Sequence, residues 1–392
     1  MRLRLAVAVA LLLAASGCAT TNLPPVSSNR VTLEEDEKRM WTRSKDEQQK
    51  LKDGGVLYED RALERYLDEV ARKLVGPDLF RAIPFKIRVI QNPHLNAFTL
   101  PDGSIYIHTG LLARMENEAQ LATLLAHEMT HATHRHAIRE FRSTRNKAAL
   151  LATMSFTIGS VPVVGGLTNL MGSLGSRAAI SGYSKAMETE ADTVGFQLLR
   201  RAGYDPAEAP KLFHHLMGEL EEETITEPFF FGTHPRLTDR IGNYTRLIED
   251  LRPEERKGAR HAEVFLDKTR RLLLDNAQLD LKAGRFAPAE RTAKKYLASR
   301  PKAAPVHQLL GEIYRQRDGK GDMERAKTHY TQAIALDPST PAPHKGLGLM
   351  HYRLGEKSAA KKSLQAYLAG APSASDRGYV EETIRQIEGK RP

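Results

Sequence analysis

Apolar residues recur at helical spacing over most of this chain and alternate at strand spacing over only one short region. "ALERYLDEVARKLVG" places Leu63, Tyr66, Leu67, Val70 and Leu74 on one face and ends on Gly76, which predicts a helix stopped at that glycine. Upstream, Thr32 followed three residues later by Glu35 has the form of a capping box, so a helix is expected to begin there. "FKIRVIQN" and "SIYIHTG" alternate and predict strands, and "NAFTLPDG" between them supplies turn residues. "EAQLATLLAHEMTHATHRHAIREF", Glu118 to Phe141, holds no Gly or Pro and predicts one continuous helix. "AMETEADTVGFQLL", Ala186 to Leu199, reads as another.

Two regions depart from this pattern. Residues 148–176 carry no charge, yet Pro162 and glycines at 159, 165, 166, 172 and 175 argue against a single lipid-exposed helix. Two buried helices with a flexible apolar connection, or a mobile lid or membrane-contacting hairpin, are the alternatives. From about Ala262 the chain repeats: Ala326, Tyr330, Ala333 and Pro338 recur 34 residues on as Ala360, Leu364, Tyr367 and Pro372. Leu310-Gly311 recurs as Leu347-Gly348, and Gly284, Ala289, Tyr296 and Pro301 form a weaker first copy. That period, with small residues at helix crossings and a closing proline, is the tetratricopeptide pattern, whose stacked helix pairs offer a concave surface to a peptide or protein. The fold class expected is mainly α (α+β): a helical domain with a small sheet, then an α-solenoid.

The N-terminus carries an address. Arg2 and Arg4 precede an apolar run from Leu5 to Ala15, too short for a membrane span, and "ASGC" then leads to Cys18, the single cysteine. The ending resembles a bacterial lipobox, with Ala15 where Leu is usual, and implies lipidation of Cys18. Ala19 rather than Asp after the cysteine implies retention in the outer membrane. With no other cysteine, the exported chain makes no disulfides. Residues 1–18 are therefore expected to be a lipoprotein signal, 19–30 a Pro- and Ser-bearing tether, 31–250 the first folded domain and 251–392 the repeat domain. The net charge of +10 belongs to the last of these, where 28 Lys and Arg face 17 Asp and Glu. It reads as a solvated helical surface, and export together with the lack of a known binding module speaks against nucleic acid.

Within the histidine-rich helix, His127, Glu128 and His131 form HExxH. At 3.6 residues per turn the two histidines share a face and can reach one ion, while Glu128, one residue round, can touch a water beside it. Two ligands leave the site incomplete. Glu188, on the second helix, can complete a His, His, Glu set, and Asp192, four residues on, can accept the free N–H of a ligating histidine. Glu190 faces elsewhere and is the weaker ligand candidate. His134 and His136 continue the first helix on other faces and read as structural.

"NAFTLPDGSIYIHTGLL", "LATLLAHEMTHATHRH", "ETEADTVG" and "FGTHPRLTDRI" occur in that order and resemble the gluzincin family of the CaaX prenyl protease and the HtpX heat-shock peptidase, most closely its periplasmic BepA-type branch with C-terminal repeats. The resemblance implies a zinc endopeptidase with one Zn2+ per chain, held by His127, His131 and Glu188, with Glu128 as base and Asp192 behind the ligands. It implies that His234 approaches the zinc, as a resting ligand or as a donor to the oxyanion, with Arg240 the second candidate donor. It implies that "SIYIHTG" is the edge strand that receives substrate as an added strand. The family pattern Pro-Gly-Gly is here Pro101, Asp102, Gly103, and Asp tolerates such turns. The expected role is quality control of unfolded or misassembled envelope proteins, with repeats that recruit clients or outer-membrane assembly machinery and a lipid anchor that holds the protein to the outer membrane in the periplasm. A chaperone or assembly scaffold with a shielded zinc and little proteolysis is the competing class.

Overall fold

A computed structural model describes residues 20–26, 32–145, 183–223 and 237–389, and these fall into two compact units divided between Lys268 and Thr269. Cys18, where lipidation is expected, the uncharged segment 148–176 and His234 lie outside the described residues.

The first unit begins with a segment, Thr20 to Val26, that the sequence reads as a tether but that is bound to the domain. Leu23 is buried against Met40, Ala137, Ile138, Tyr183 and Met187, and the Val26 N–H donates to Thr133 O at 2.8 Å. Buried Arg142 donates to Thr20 O at 2.9 Å and to both carboxylate oxygens of Asp36. Helix α1 (Glu35–Asp53) starts later than Thr32: Glu34 is its N-cap, and the Glu34 N–H donates to Glu37 Oε2 at 3.4 Å. Helix α2 (Arg61–Ala82) is capped by Asp60, whose Oδ1 accepts from Ala62 and Leu63. It breaks where expected, at Gly76 (φ 77°), and resumes through Pro77.

The sheet holds β1 (Lys86–Ile90), β2 (Ala97–Thr99) and β3 (Ser104–His108) in the order β1-β3-β2. β1 lies parallel to β3 and β2 antiparallel to it, with Thr99 opposite Ile105. The expectation that "SIYIHTG" forms the edge strand is therefore corrected: β3 is the central strand, buried at all five positions, and β2, read from sequence as part of a turn, is an edge among the described residues. The parallel partner of β3 lies on the far side of β2 in the chain, and local alternation carries no information about that pairing. Asp102 makes the turn before β3 workable by accepting from Ser104 N and Gln48 Nε2, and Gly103 sits at φ +88°.

Helix α3 (Thr109–Arg114) leads to α4 (Glu118–Thr133), every residue of which is buried. A helix enclosed on all sides must find partners for its polar groups. Asn117 caps it by accepting from Gln120 N, Glu118 accepts from Tyr66 and Tyr204, and Gln120 donates to Glu208. The single helix expected through Phe141 is two. α4 ends at Thr133, Arg135 takes a left-handed φ of 57°, and α5 restarts over 136–145. Helices α6 (Lys185–Arg201) and α7 (Glu208–Glu223) pack on α4, and α8 (Leu237–Glu249) packs on α6 and α7. Residues 251–261, expected in the repeat domain, join this unit: Glu118 N–H donates to Arg260 O, and Gly258 lies where a Cβ would come within 2.3 Å of the Tyr204 backbone.

The division falls inside α9 (Ala262–Lys282). The second unit continues through α10 (Phe286–Ser299), α11 (Ala304–Arg317), α12 (Asp322–Leu336), α13 (Ala342–Arg353), α14 (Lys357–Gly370) and α15 (Arg377–Ile387). Its repeated residues are the packed ones: Ala326, Tyr330, Ala333, Ala360, Leu364 and Tyr367 are buried. The repeat glycines exist for Tyr330 and Leu364. A Cβ at Gly311 or Gly346 would stand 2.7 or 2.3 Å from the Tyr330 ring, and one at Gly348 2.6 Å from Leu364.

Candidate metal centre

The site forms where α4 crosses α6. Gly195 makes the crossing close, since a Cβ there would lie 3.2 Å from both Ala126 C and His127 N. Helical spacing then puts His127 Nε2 and His131 Nε2 3.0 Å apart on α4. Glu188, in the first turn of α6, brings Oε2 to 3.4 Å from His127 Nε2 and Oε1 to 3.5 Å from His131 Nε2. One ligand atom from each of the three lies within 4.8 Å of the others, all three residues are buried, and among the described residues this is the one such group. Two imidazoles and a carboxylate converging at that spacing in a water-poor interior fit a first-row divalent cation, with zinc the ordinary occupant of such a set.

Each histidine ligand is held from behind. His127 Nδ1 is 3.0 Å from Asp192 Oδ1, one turn beyond Glu188 on α6. Burial raises the Asp192 carboxyl, but Arg240 and His127 outweigh it and hold the group below the usual carboxylate range. The His131 ring stacks on Tyr183 at 4.0 Å between centroids, and its Nδ1 lies 2.8 Å from His136 Nδ1. Burial pushes His136 down to about 4, so its ring is neutral at pH 7. Glu128 is buried beside the ligands and takes a 2.7 Å hydrogen bond from Thr99 Oγ1, on the edge strand.

The structure thus brings together the five α4 and α6 residues singled out from sequence. Arg240, the candidate oxyanion donor, is 1% exposed and already employed: Nε and Nη2 both donate to Asp192 Oδ1, at 3.0 and 2.7 Å, while its guanidinium lies 4.2 Å from the Phe213 ring centroid. Its Nη1 is buried with no hydrogen-bond partner among the described residues. His136 is not on another face of the same helix, because the break at Arg135 returns it to His131. His134 does stay away from the ligands, its Nδ1 3.0 Å from Thr133 Oγ1. Thr99, Tyr183 and the His136–Glu190 contact had no signal in the spacing of motifs; each depends on a turn or pairing set by tertiary structure.

Residues 58–247 match the profile of Peptidase family M48, and residues 317–375 that of a tetratricopeptide repeat. The beta-barrel assembly-enhancing protease of Escherichia coli (strain K12) is 28% identical over 231 residues, 58% of this chain and 47% of that protein. Mitochondrial metalloendopeptidase OMA1 of Schizosaccharomyces pombe (strain 972 / ATCC 24843) is 30% identical over 189 residues, 48% of this chain and 53% of its own. The chain spans about half the length of the curated relatives it matches. Among solved structures, a thermophilic TPR protein of Thermus thermophilus shares 21% identity at a TM-score of 0.27, covering 47% of this chain and 84% of that one. One profile match encloses both ligand helices and the second falls within the helical repeats, so the chain holds a peptidase M48 domain followed by a tetratricopeptide repeat.

Proposed function

We propose that this protein is a zinc-dependent metalloendopeptidase of the cell envelope that cleaves unfolded or misassembled proteins. The observation that carries the reading is the buried convergence of His127, His131 and Glu188 beside Glu128. A zinc ion in that set would supply Lewis acidity to polarise a scissile carbonyl and make a water more acidic. Glu128, held by Thr99, takes the proton from the attacking water and returns it to the leaving amine. Arg240 Nη1 is the donor offered to the developing oxyanion, with His234 as the alternative. Substrate adds as a strand beside β2, a mode that uses backbone groups and so accepts many sequences.

The envelope setting rests on the lipobox at Cys18, which anchors the protein to the outer membrane facing the periplasm, and on similarity to a protein named beta-barrel assembly-enhancing protease. The repeats recruit clients or outer-membrane assembly machinery. The test compares wild type with Glu128→Gln on casein, with zinc content measured for both. Cleavage lost with zinc retained supports the reading. Equal cleavage by both overturns it, and zinc-loaded protein inert in both forms points instead to a scaffold with a shielded ion.

A further inference from the structure

The two histidine ligands are supported differently, and the difference assigns a role to a residue outside the motif. For His131 to present Nε2 to a cation, that nitrogen must be bare, so the neutral ring carries its proton on Nδ1. That proton points at His136 Nδ1, 2.8 Å away, which must then accept, and His136 in turn carries its own proton on Nε2. His136 Nε2 lies 3.3 Å from Glu190 Oε2, and Glu190 is held in place by Arg139 Nη1 at 2.9 Å. Every tautomer in the series is fixed by the one before it. His127 meets its carboxylate, Asp192, directly; His131 meets one through a second imidazole.

We propose that His136 is a positioning residue for the metal, a relay that transmits the Glu190 carboxylate to His131 and fixes its tautomer and ring orientation. The local backbone supports this. Residues five apart on an unbroken α-helix do not face each other, and the left-handed Arg135 between α4 and α5 is what brings the two rings together. A non-glycine residue at that φ is strained, and Arg135 is retained there by an ion pair to Glu37. Tyr183 stacks on a face of the His131 ring, and the contact at Nδ1 acts on its edge.

This inference rests on the metal reading, and the test separates the two. Zinc affinity is measured by competition with a chelating dye on the full chain, as wild type, His136→Ala, His136→Asn, Glu190→Ala and His131→Ala, with the thermal midpoint of each metal-free form. Wild type should bind one zinc and His131→Ala should lose it; failure there overturns the metal reading and the relay with it. Given binding, His136→Ala should weaken zinc about 10- to 100-fold. His136→Asn, whose amide oxygen falls where Nδ1 was, should recover most of the loss. Glu190→Ala, altered at the partly exposed end of the relay, should weaken zinc in the same direction without lowering the metal-free midpoint. The relay is overturned by unchanged affinity in His136→Ala, or by equal loss in the Ala and Asn variants alongside a lowered metal-free midpoint.

Discussion

Thr99 on the edge strand donates its hydroxyl to Glu128 Oε2 at 2.7 Å, so the proposed base is oriented by the strand proposed to hold the substrate. A hydrogen bond to a charged group is worth about 1.5–3 kcal/mol. Thr99→Val should therefore lower kcat/KM by roughly 10- to 100-fold at unchanged zinc content, and Thr99→Ser should restore most of it. A Val variant with wild-type turnover of casein would dissociate the strand from the base.

Asp192 serves His127 and Arg240, with Asn243 Nδ2 a further donor at 3.3 Å, and its removal should show on the first two. Asp192→Asn leaves the Arg240 guanidinium buried opposite a neutral group, a loss of about 3–5 kcal/mol in urea unfolding. It also takes the carboxylate from His127, with zinc affinity down about 10- to 100-fold. Adding Arg240→Met should recover stability but not zinc. Joint recovery would show that Asp192 acts on the metal only through general stability.

Gly195 lets the ligand helices touch. In Gly195→Val the side chain meets the Ala126–His127 backbone, which cannot rotate away, and overpacking of this kind costs about 1–3 kcal/mol. Zinc affinity should fall with it, since Glu188 moves off with α6. Urea midpoints and dye competition read the two effects; a variant as stable as wild type, with the same affinity, counts against the close crossing.

Acid should weaken the repeats through His329. Burial, with His307 Nδ1 at 2.9 Å and Lys294 nearby, pushes this imidazole down to about 4 from 6.5, with Glu290 opposing. Between those values the unfolded chain takes up a proton that the folded chain refuses, so this stability is complete above about pH 6.5 and is lost as pH falls towards 4. The difference in thermal midpoint between wild type and His329→Gln should therefore narrow from pH 7 to pH 5. A constant difference would falsify the assignment.

What the sequence made legible was local. His127 and His131 on α4, and Glu188 and Asp192 on α6, are each four residues apart, and helix geometry alone places each pair on one face. Gly311, Gly348 and Tyr330 were legible because the pattern recurs, whereas the need of Tyr330 for Gly346 was visible only in the packing. What was not legible depends on events between elements. The parallel pairing of β1 with β3 moved the edge to β2 and so brought Thr99 to Glu128. One left-handed residue, Arg135, turned His136 from a bystander into a neighbour of His131. Leu23, in a stretch whose prolines and serines read as a loose tether, found an apolar site formed by α1, α5 and α6.

That last contact bears on where the enzyme can work. The chain is already pinned at Thr20, where Arg142 holds the carbonyl. With Cys18 acylated as proposed, two residue steps remain between lipid and fold, a leash of about 7 Å at full extension. On that proposal a catalytic domain so moored would ride on the inner face of the outer membrane rather than patrol the periplasm. The substrates proposed for it would then be those that arrive at, or stall upon, the bilayer itself.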